Sequence, residues 1–128
     1  KKVIFIGEIS EQDLGSYYSI CDIFCLPSVY KTEAFGIVQL EAMSFSKPIV
    51  STYIHGSGTS YVNLHNSTGY VVQSKSPLQI ANAINRLLNS QSLRDEFGKN
   101  ARMRYESNFT IHRISKDIYN LYLNILSA

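Results

Sequence analysis

Glu33 and Glu41, separated by seven residues, are the side chains whose type and spacing best suit chemistry on a charged ligand. Phe35, Gly36 and Ile37 lie between them and are predicted to begin a helix, whose first turn offers free backbone N–H groups. A helix start of this kind binds anions such as phosphate. Glu33 is expected in the loop before the helix, and Glu41 about one and a half turns inside it. The two carboxylates should therefore bracket the anion site at different depths, which suits a ligand with a charged middle and hydroxyls at both ends.

Alternating strand and helix patterns are predicted to position this segment. Residues 3–6 (VIFI) and 23–26 (IFCL) are uninterrupted apolar runs, typical of strands buried on both faces. Residues 48–53 (PIVSTY) and 70–72 (YVV) indicate two more strands after it. This order predicts an α/β domain with a mostly parallel sheet flanked by helices.

Capping patterns predict the remaining helices. The start signals are Ser10 with Asp13, Ser76 with Pro77 and Gln79, Ser92 with Asp95, and Thr110. Between the third and fourth strands, residues 55–69 are rich in Gly, Ser, Asn and Thr, which indicates a functional loop region with one helical turn. The C-terminal third is expected to be helical.

Composition narrows the class of protein. A chain of 128 residues with 45% hydrophobic and 17% charged residues is typical of one globular domain. The net charge of +2 is small and the basic residues are mixed with acidic ones, which argues against a nucleic-acid partner. No apolar run approaches the roughly 18 residues that span a bilayer, and the N-terminal apolar run is too short for a secretory signal. We therefore expect a cytosolic domain.

Cysteine and histidine residues are not predicted to carry the chemistry. Cys21 and Cys25 are interpreted as small buried hydrophobic residues in a reducing compartment, because nothing completes a four-ligand metal set. His65 and His112 are interpreted as surface or partly buried polar residues. Ser57 within GSG lacks the strand–turn–helix context of a hydrolase nucleophile, and no phosphate-binding GK[ST] follows.

Five segments together resemble one known family. They are FIG at 5–7, CDIFCLPS at 21–28, EAFGIVQLEAMSFSKPIVST at 33–52, HGSG at 55–58 and TGYVV at 68–72. They resemble the C-terminal, donor-binding domain of a family 4 glycosyltransferase with the GT-B fold. The resemblance implies a Rossmann-like sheet and a retaining hexosyl transfer from a nucleotide-diphosphate sugar to a glycan or lipid-linked acceptor. It implies no metal or other cofactor, and a place in surface polysaccharide or lipopolysaccharide biosynthesis.

The resemblance also assigns roles to the two glutamates and to the residues between them. It places Glu33 at the hydroxyls of the donor sugar as the catalytic residue, and Glu41 at the ribose. The backbone amides of Phe35, Gly36 and Ile37 would face the sugar and phosphate, where Gly36 allows close approach of the donor because it lacks a Cβ atom.

The resemblance assigns further donor-binding positions, which rest on less specific motifs. The main chain of Glu8 and Ile9 would meet the nucleobase, and Ser28 would lie near the phosphates. The loop of His55, Gly56 and the following serine would lie beside the donor pocket. His55 departs from the Pro or Gly of many relatives, which leaves its role open.

Ser46 is a second departure, because most relatives have Gly at that position, just before the KPIV strand. The change is expected to strain or reshape the turn.

Residues 1–128 are expected to be only the later part of the C-terminal domain. The resemblance places the acceptor-binding N-terminal domain outside this chain, along with an Arg and a Lys that clamp the diphosphate. We therefore predict weak nucleotide binding and no transfer by this chain alone.

The expected partners of the parent enzyme are a UDP- or GDP-linked sugar and a glycan or lipid-linked acceptor. Its expected location is cytoplasmic, with peripheral association at the inner face of the cell membrane as a hypothesis. Two alternatives stay open: another GT-B activity, such as a glycogen or starch synthase or a sugar-nucleotide epimerase, and a non-catalytic nucleotide-sugar binding module.

Overall fold

Three parallel strands and six helices make up the computed structural model, which describes residues 2–127. The elements are α1 (Glu11–Ile20), β1 (Phe24–Leu26), α2 (Ile37–Ser44), β2 (Ile49–Tyr53), α3 (Thr59–Val62), β3 (Gly69–Gln73), α4 (Pro77–Leu88), α5 (Gln91–Asn108) and α6 (Ile111–Leu126). The strand order is β1-β2-β3, so β2 is central. This parallel sheet with flanking helices confirms the predicted fold class.

The central strand β2 divides the core into two parts. Ile49 and Val50 are both fully buried, and they point to opposite faces because side chains alternate along a strand. Ile49 packs in a cluster with Met43 of α2, whereas Val50 packs in a second cluster with Leu87 of α4. Helix α5 closes both clusters, with Phe97 in the second and its later turns in the first. The sheet is therefore covered on both faces, as an α/β fold requires.

A buried asparagine fixes the connection between α3 and β3. The Asn63 side-chain amide donates to the hydroxyl of Ser51 at 2.8 Å and to the carbonyl of Tyr70 at 3.2 Å. Thr68 donates from its hydroxyl to Asn63 Oδ1 at 2.8 Å. Because a buried polar group without a partner destabilises a fold, this satisfied network holds the loop after α3 in one conformation.

The first predicted core strand is wrong within the described residues. Val3, Ile4, Phe5 and Ile6 lie outside the sheet and are exposed, Phe5 by 89%. A strand that is apolar on both faces is buried only when it pairs with a neighbour and is covered by helices. In the described sheet β1 and β3 are the edge strands and each pairs with β2 alone, and residues 3–6 pair with neither.

Two predicted helix starts are confirmed by their caps. The hydroxyl of Ser10 accepts a hydrogen bond from the backbone N–H of Asp13 at 3.2 Å, at the start of α1. The hydroxyl of Thr110 accepts one from the N–H of Arg113 at 3.3 Å, at the start of α6.

Two other predicted caps differ from the structure. Helix α5 is capped by the hydroxyl of Ser90 and not by Ser92, which lies inside the first turn. Ser76 is the N-cap residue of α4, but its side chain makes no cap hydrogen bond. Gln79 is not its capping-box partner, because the Gln79 side-chain oxygen accepts a hydrogen bond from the N–H of Gln73 at 3.0 Å. The cap of α5 therefore moves to a neighbouring serine, whereas the Gln79 side chain is used for a contact with β3 instead of a cap.

Helix α6 differs from the other long helices in its exposure. None of its described residues is buried, although Ile114, Ile118, Leu121 and Ile125 form an apolar stripe. Within residues 2–127, none of the helices combines the length and the apolar character that a membrane span needs.

Candidate functional site

The loop after β1 ends at Gly36, which is the N-cap residue of α2. Gly36 has φ 80°, a left-handed conformation that glycine adopts at little cost, and α2 begins at Ile37. The helix therefore starts two residues later than predicted, and Phe35 precedes it. Glu33 lies in the loop before the helix, as predicted, and Glu41 lies about one turn inside it, less deep than the predicted one and a half turns because the helix starts later.

The Gly36 amide is already paired in this structure. Its N–H donates to Glu33 Oε1 at 3.0 Å, which differs from the prediction of a free N–H group at this position. The carboxylate accepts from the N–H three residues later, across the turn that precedes the helix. Glu33 is thereby held against the start of α2, where a carboxylate also benefits from the helix dipole.

Gly36 also packs too closely for any side chain. A Cβ atom at this position would overlap the Gln39 side chain and would lie 3.2 Å from side-chain atoms of Leu26 and Thr59. Gln39 is fully buried and donates from Nε2 to the carbonyl of Thr59 at 3.2 Å. The start of α2 is thus joined to α3.

The loop after β2 meets the Glu33 loop directly. Ser57 donates from its hydroxyl to the carbonyl of Glu33 at 2.6 Å, and the N–H of Gly58 donates to the carbonyl of Ala34 at 2.7 Å. The structure therefore brings the HGSG segment and the Glu33 loop together, as the resemblance implies. His55 and Gly56 themselves are exposed, and Gly56 has φ 77°.

Ser28 lies in the loop that follows β1, at the carboxyl end of that strand. Its carbonyl accepts a hydrogen bond from the hydroxyl of Thr52 on β2, and the residue is half-buried. Because β1 and β2 are parallel, the loops that follow them leave the sheet at one edge, which is where ligands bind in folds of this type.

An aromatic cluster packs against Phe35 of the Glu33 loop, and sequence reasoning did not find it. The rings of Phe35, Tyr61 and Phe109 have centroids 6.0–6.5 Å apart. The Arg104 guanidinium lies over the rings of Tyr61 and Phe109, and Arg104 Nε donates to the carbonyl of Val62 at 3.0 Å. These residues are far apart in the chain, so no local spacing connects them.

Glu41 makes a contact with α1 that sequence reasoning also missed. The hydroxyl of Tyr18 donates to Glu41 Oε2 at 2.7 Å. Burial, and then the hydrogen bond and negative charge of Glu41, raise the pKa of Tyr18 far above its ordinary value. A tyrosine phenol is protonated at neutral pH, and the raised pKa keeps Tyr18 a hydrogen-bond donor into the alkaline range as well.

A cavity of about 430 Å³ opens beside this pair, between α1, α2 and the adjoining ends of α5 and α6. Leu14, Ile37 and Phe109 contribute apolar walls, and Tyr18 and Glu41 contribute polar groups. Glu41 lines this cavity and Glu33 does not, so the two carboxylates do not face the same space.

Glu8 and Ile9 immediately precede α1. Glu8 is exposed and Ile9 is half-buried. Glu11, in the first turn of α1, lines the cavity, so the segment before α1 leads to its rim.

The two cysteines are less buried than the sequence predicted. Cys21 and Cys25 are free and partly buried, and burial raises the pKa of both thiols. Neither thiol is thereby activated as a nucleophile. Among residues 2–127, no three His, Cys, Asp or Glu side chains are grouped to hold a metal ion.

The parallel sheet with flanking helices, and with its loops gathered at one edge around the start of α2, matches solved proteins of the GT-B glycosyltransferase fold. Sucrose-phosphate synthase from Thermosynechococcus elongatus has the same fold with a TM-score of 0.85 at 29% identity, over 98% of this chain and 31% of that one. The C-terminal domain of a group 1 family glycosyl transferase from Francisella tularensis matches with a TM-score of 0.77 at 28% identity, over 87% of this chain and 55% of that one.

The chain belongs to the family of glycosyl transferases group 1, which it matches over residues 1–104. It is 32% identical to O-antigen chain mannosyltransferase C of Escherichia coli over 98% of its length, and 36% identical to D-rhamnosyltransferase WbpZ of Pseudomonas aeruginosa over 86%. It is also 32% identical to the capsular polysaccharide biosynthesis glycosyltransferase CapM of Staphylococcus aureus over 97%. The matched regions are 34%, 29% and 31% of those proteins, so the chain spans about a third of the length of the curated relatives it matches.

Proposed function

We propose that this chain is the donor-binding part of a retaining family 4 glycosyltransferase. The parent enzyme would transfer a hexose from a nucleotide-diphosphate sugar to a glycan or lipid-linked acceptor in surface polysaccharide or lipopolysaccharide biosynthesis. Relatives named for O-antigen and capsular polysaccharide support this assignment. The observation that carries it is the start of α2, where the Glu33 carboxylate accepts from the Gly36 N–H and the Glu33 backbone carbonyl accepts from Ser57 of the loop after β2, at the carboxyl edge of the sheet.

A nucleotide-sugar donor also fits the ligands of proteins with this fold. HepE of Anabaena has been solved with UDP and with UDP-glucose, and it shares the fold at 22% identity. At this identity the likeness concerns the fold alone.

Glu33 would bind the hydroxyls of the donor sugar. Its Oε1 is held by the Gly36 N–H, which leaves Oε2 to accept a hydrogen bond from a sugar hydroxyl. The amides of Phe35 and Ile37 would face the sugar and the diphosphate. Backbone amides at a helix start stabilise a leaving diphosphate, so the proposal needs no metal ion or other cofactor.

The remaining donor contacts would be made by α2, by the segment before α1 and by the loops after β1 and β2. Glu41 would accept hydrogen bonds from the ribose, and its cavity offers apolar walls for the nucleoside. The main chain of Glu8 and Ile9 would meet the base, and Ser28 would lie near the phosphates. The exposed residues His55 and Gly56 would line the sugar side of the site.

We place the parent enzyme in the cytoplasm, with peripheral association at the inner face of the membrane when the acceptor is lipid-linked. A lipid-linked acceptor lies at a membrane surface, so the enzyme must reach it there. Fractionation of cells, with and without a salt wash, tests this location.

The decisive experiment for the reaction is a panel of UDP, GDP and ADP sugars with the full-length protein, in which released nucleotide is measured. We expect one donor class to be turned over, at a rate that excess EDTA does not change. The anomeric configuration of the product, determined by NMR, should equal that of the donor.

Three outcomes would contradict the proposal in different ways. Binding of a nucleotide sugar without transfer to any acceptor would identify a non-catalytic binding module. Inversion at the anomeric carbon would exclude a retaining enzyme, and absence of binding to every donor would exclude the donor site itself.

A further inference from the structure

We propose that Tyr18 is a positioning residue that orients the Glu41 carboxylate toward the ribose hydroxyls of the donor nucleotide. The role rests on the proposed function, because it assumes that Glu41 accepts hydrogen bonds from a ribose. It adds a residue of α1 to the donor site. Through Glu41, Tyr18 determines how strongly the protein distinguishes a ribonucleotide from a nucleotide without ribose hydroxyls.

The position of the Tyr18 ring is determined by its packing. The residue is only 8% exposed. Its ring stacks on Phe45, at the end of α2, with centroids 5.6 Å apart and an interplanar angle of 18°. It also contacts Phe24 of β1 at a centroid distance of 5.8 Å. The hydroxyl is therefore held in one place by elements on two sides.

That hydroxyl fixes one oxygen of Glu41. It donates to Oε2 at 2.7 Å, although the two residues are 23 positions apart in the chain. Hydrogen bonds to a carboxylate are short and strong because the acceptor is charged. A carboxylate has two oxygens, so occupation of Oε2 leaves Oε1 as an acceptor for a ligand.

The pairing also reduces the cost of binding. Glu41 is half-buried, and without the phenol its flexible side chain would have to be ordered each time a ligand binds. With the phenol, the carboxylate is ordered before the ligand arrives. A tyrosine phenol is protonated throughout the neutral range, so the donor hydrogen is always present.

The lining of the cavity indicates which class of ligand Tyr18 and Glu41 bind. Tyr18 and Glu41 are polar groups on a wall that is otherwise formed largely by apolar side chains such as Leu14 and Leu40. A nucleoside has the matching chemistry, since its base is flat and largely apolar on its faces and its ribose carries a pair of hydroxyl donors. A 2′,3′-dideoxynucleotide retains the base and phosphates and lacks only those donors.

The test compares each nucleotide with its dideoxy analogue. UDP, GDP and ADP are titrated into the full-length protein by calorimetry, and the tightest of the three is carried forward with its 2′,3′-dideoxy form. Wild type is compared with Tyr18→Phe, Glu41→Gln and Tyr17→Phe. Tyr17 is the matched control, because it is the adjacent tyrosine of α1, is 40% exposed and keeps Glu41 paired with Tyr18.

We expect wild type and Tyr17→Phe to prefer the ribonucleotide by about 10-fold or more, as two lost hydrogen bonds predict. Tyr18→Phe should reduce this preference by about 3- to 10-fold while leaving affinity for the dideoxy form unchanged. Glu41→Gln should also reduce the preference. Tyr18→Phe keeps the ring that packs on Phe45, so the variant is expected to fold, and its circular dichroism should match that of wild type.

Results other than these contradict either the role of Tyr18 or the assignment of Glu41 to the ribose. If Tyr18→Phe keeps the full preference while Glu41→Gln loses it, Tyr18 does not position Glu41, and the proposed donor site stands. If Tyr18→Phe weakens both ligands equally, its role is structural and the inference is wrong. If Glu41→Gln keeps the full preference, or if none of the three nucleotides binds wild type, the ribose assignment of Glu41 fails and the inference fails with it.

Discussion

Glu33 and Glu41 have different environments, and this separates their proposed roles. Glu33 is tied to the Gly36 amide at the carboxyl edge of the sheet, whereas Glu41 is tied to Tyr18 beside the cavity. A residue that contacts the reacting sugar affects the transition state, while one that contacts the remote nucleoside affects ground-state and transition-state binding alike.

Alanine variants of the full-length enzyme should show this separation. Glu41→Ala should raise the donor KM by about 10-fold and change kcat little, because two hydrogen bonds to ribose are lost. Glu33→Ala should lower kcat by about 100-fold or more, because an interaction at the reacting sugar is lost. Steady-state kinetics with varied donor measure both, and Glu96→Ala, on the exposed side of α5, is the control. Turnover of Glu33→Ala within about twofold of wild type would contradict its assignment to the sugar.

Ser46 makes a separate prediction about stability. Its φ is 57°, so it adopts the left-handed conformation that glycine adopts at little cost. The sequence left open whether this serine strains or reshapes the turn, and the left-handed backbone indicates strain. We expect Ser46→Gly to raise the free energy of unfolding by about 0.5–1 kcal/mol, since relief of left-handed strain exceeds the entropy cost of glycine.

Urea denaturation measures that change, and another serine supplies the control. Ser16→Gly, inside α1, should lower the free energy of unfolding by about 0.5 kcal/mol, because glycine is unfavourable within a helix. A destabilising Ser46→Gly would show that the left-handed turn is not strained.

At the scale of elements, the contact between α5 and the turn before β2 depends on Gly98. A Cβ atom at this position would overlap the backbone carbonyl of Ser46 and would lie 3.8 Å from Pro48. Gly98→Ala should therefore lower the free energy of unfolding by about 1–3 kcal/mol, since the overlap outweighs the better helix propensity of alanine. Urea denaturation tests this, with Lys99→Ala on the exposed side of α5 as control. A neutral or stabilising Gly98→Ala would mean that α5 can move away from the turn without cost.

The elements also show what the sequence can predict and where it stops. Apolar runs located β1, β2 and β3, because a buried parallel strand carries its signal within a few adjacent residues. Residues 3–6 carry the same signal and lie outside the described sheet, because burial also requires neighbouring elements. Helix existence was predictable from periodicity. Which serine caps α5, and which N–H the Gln79 side chain binds, depended on several nearby polar groups that can form the same kind of hydrogen bond.

The candidate site shows the same limit. The loop that holds Glu33 and the later segment at 55–58 were found by their types and by resemblance, and the structure brings them into contact. The partner of Glu41 was not found, because Tyr18 lies 23 residues away and its spacing indicates only one more apolar position of α1. Contacts between distant elements leave no local pattern, so they need the fold.

Across the whole molecule, burial is unevenly distributed. The first four residues of β2 are nearly inaccessible, and α5 packs on both parts of the core. Helix α6 has no buried residue among those described, and Ile118, Leu121 and Ile125 are each about half exposed or more. Because local stability follows buried apolar contacts, the chain should not open as a single unit.

Hydrogen exchange should show this gradient in the 128-residue chain. Amides of β2 should exchange only through global unfolding, because the strand is hydrogen-bonded on both sides and buried on both faces. Amides of α6 should exchange at least about 100-fold faster, because its opening exposes little apolar surface that is not exposed already. Helix α4, of similar length but with Ala83 and Leu87 buried, is the internal control and should exchange at intermediate rates. Mass spectrometry of peptic fragments at pH 7 resolves the three elements.

Protection of α6 equal to that of β2 would mean that its apolar stripe is covered in solution. A dependence of that protection on protein concentration would identify a second copy of the chain as the cover.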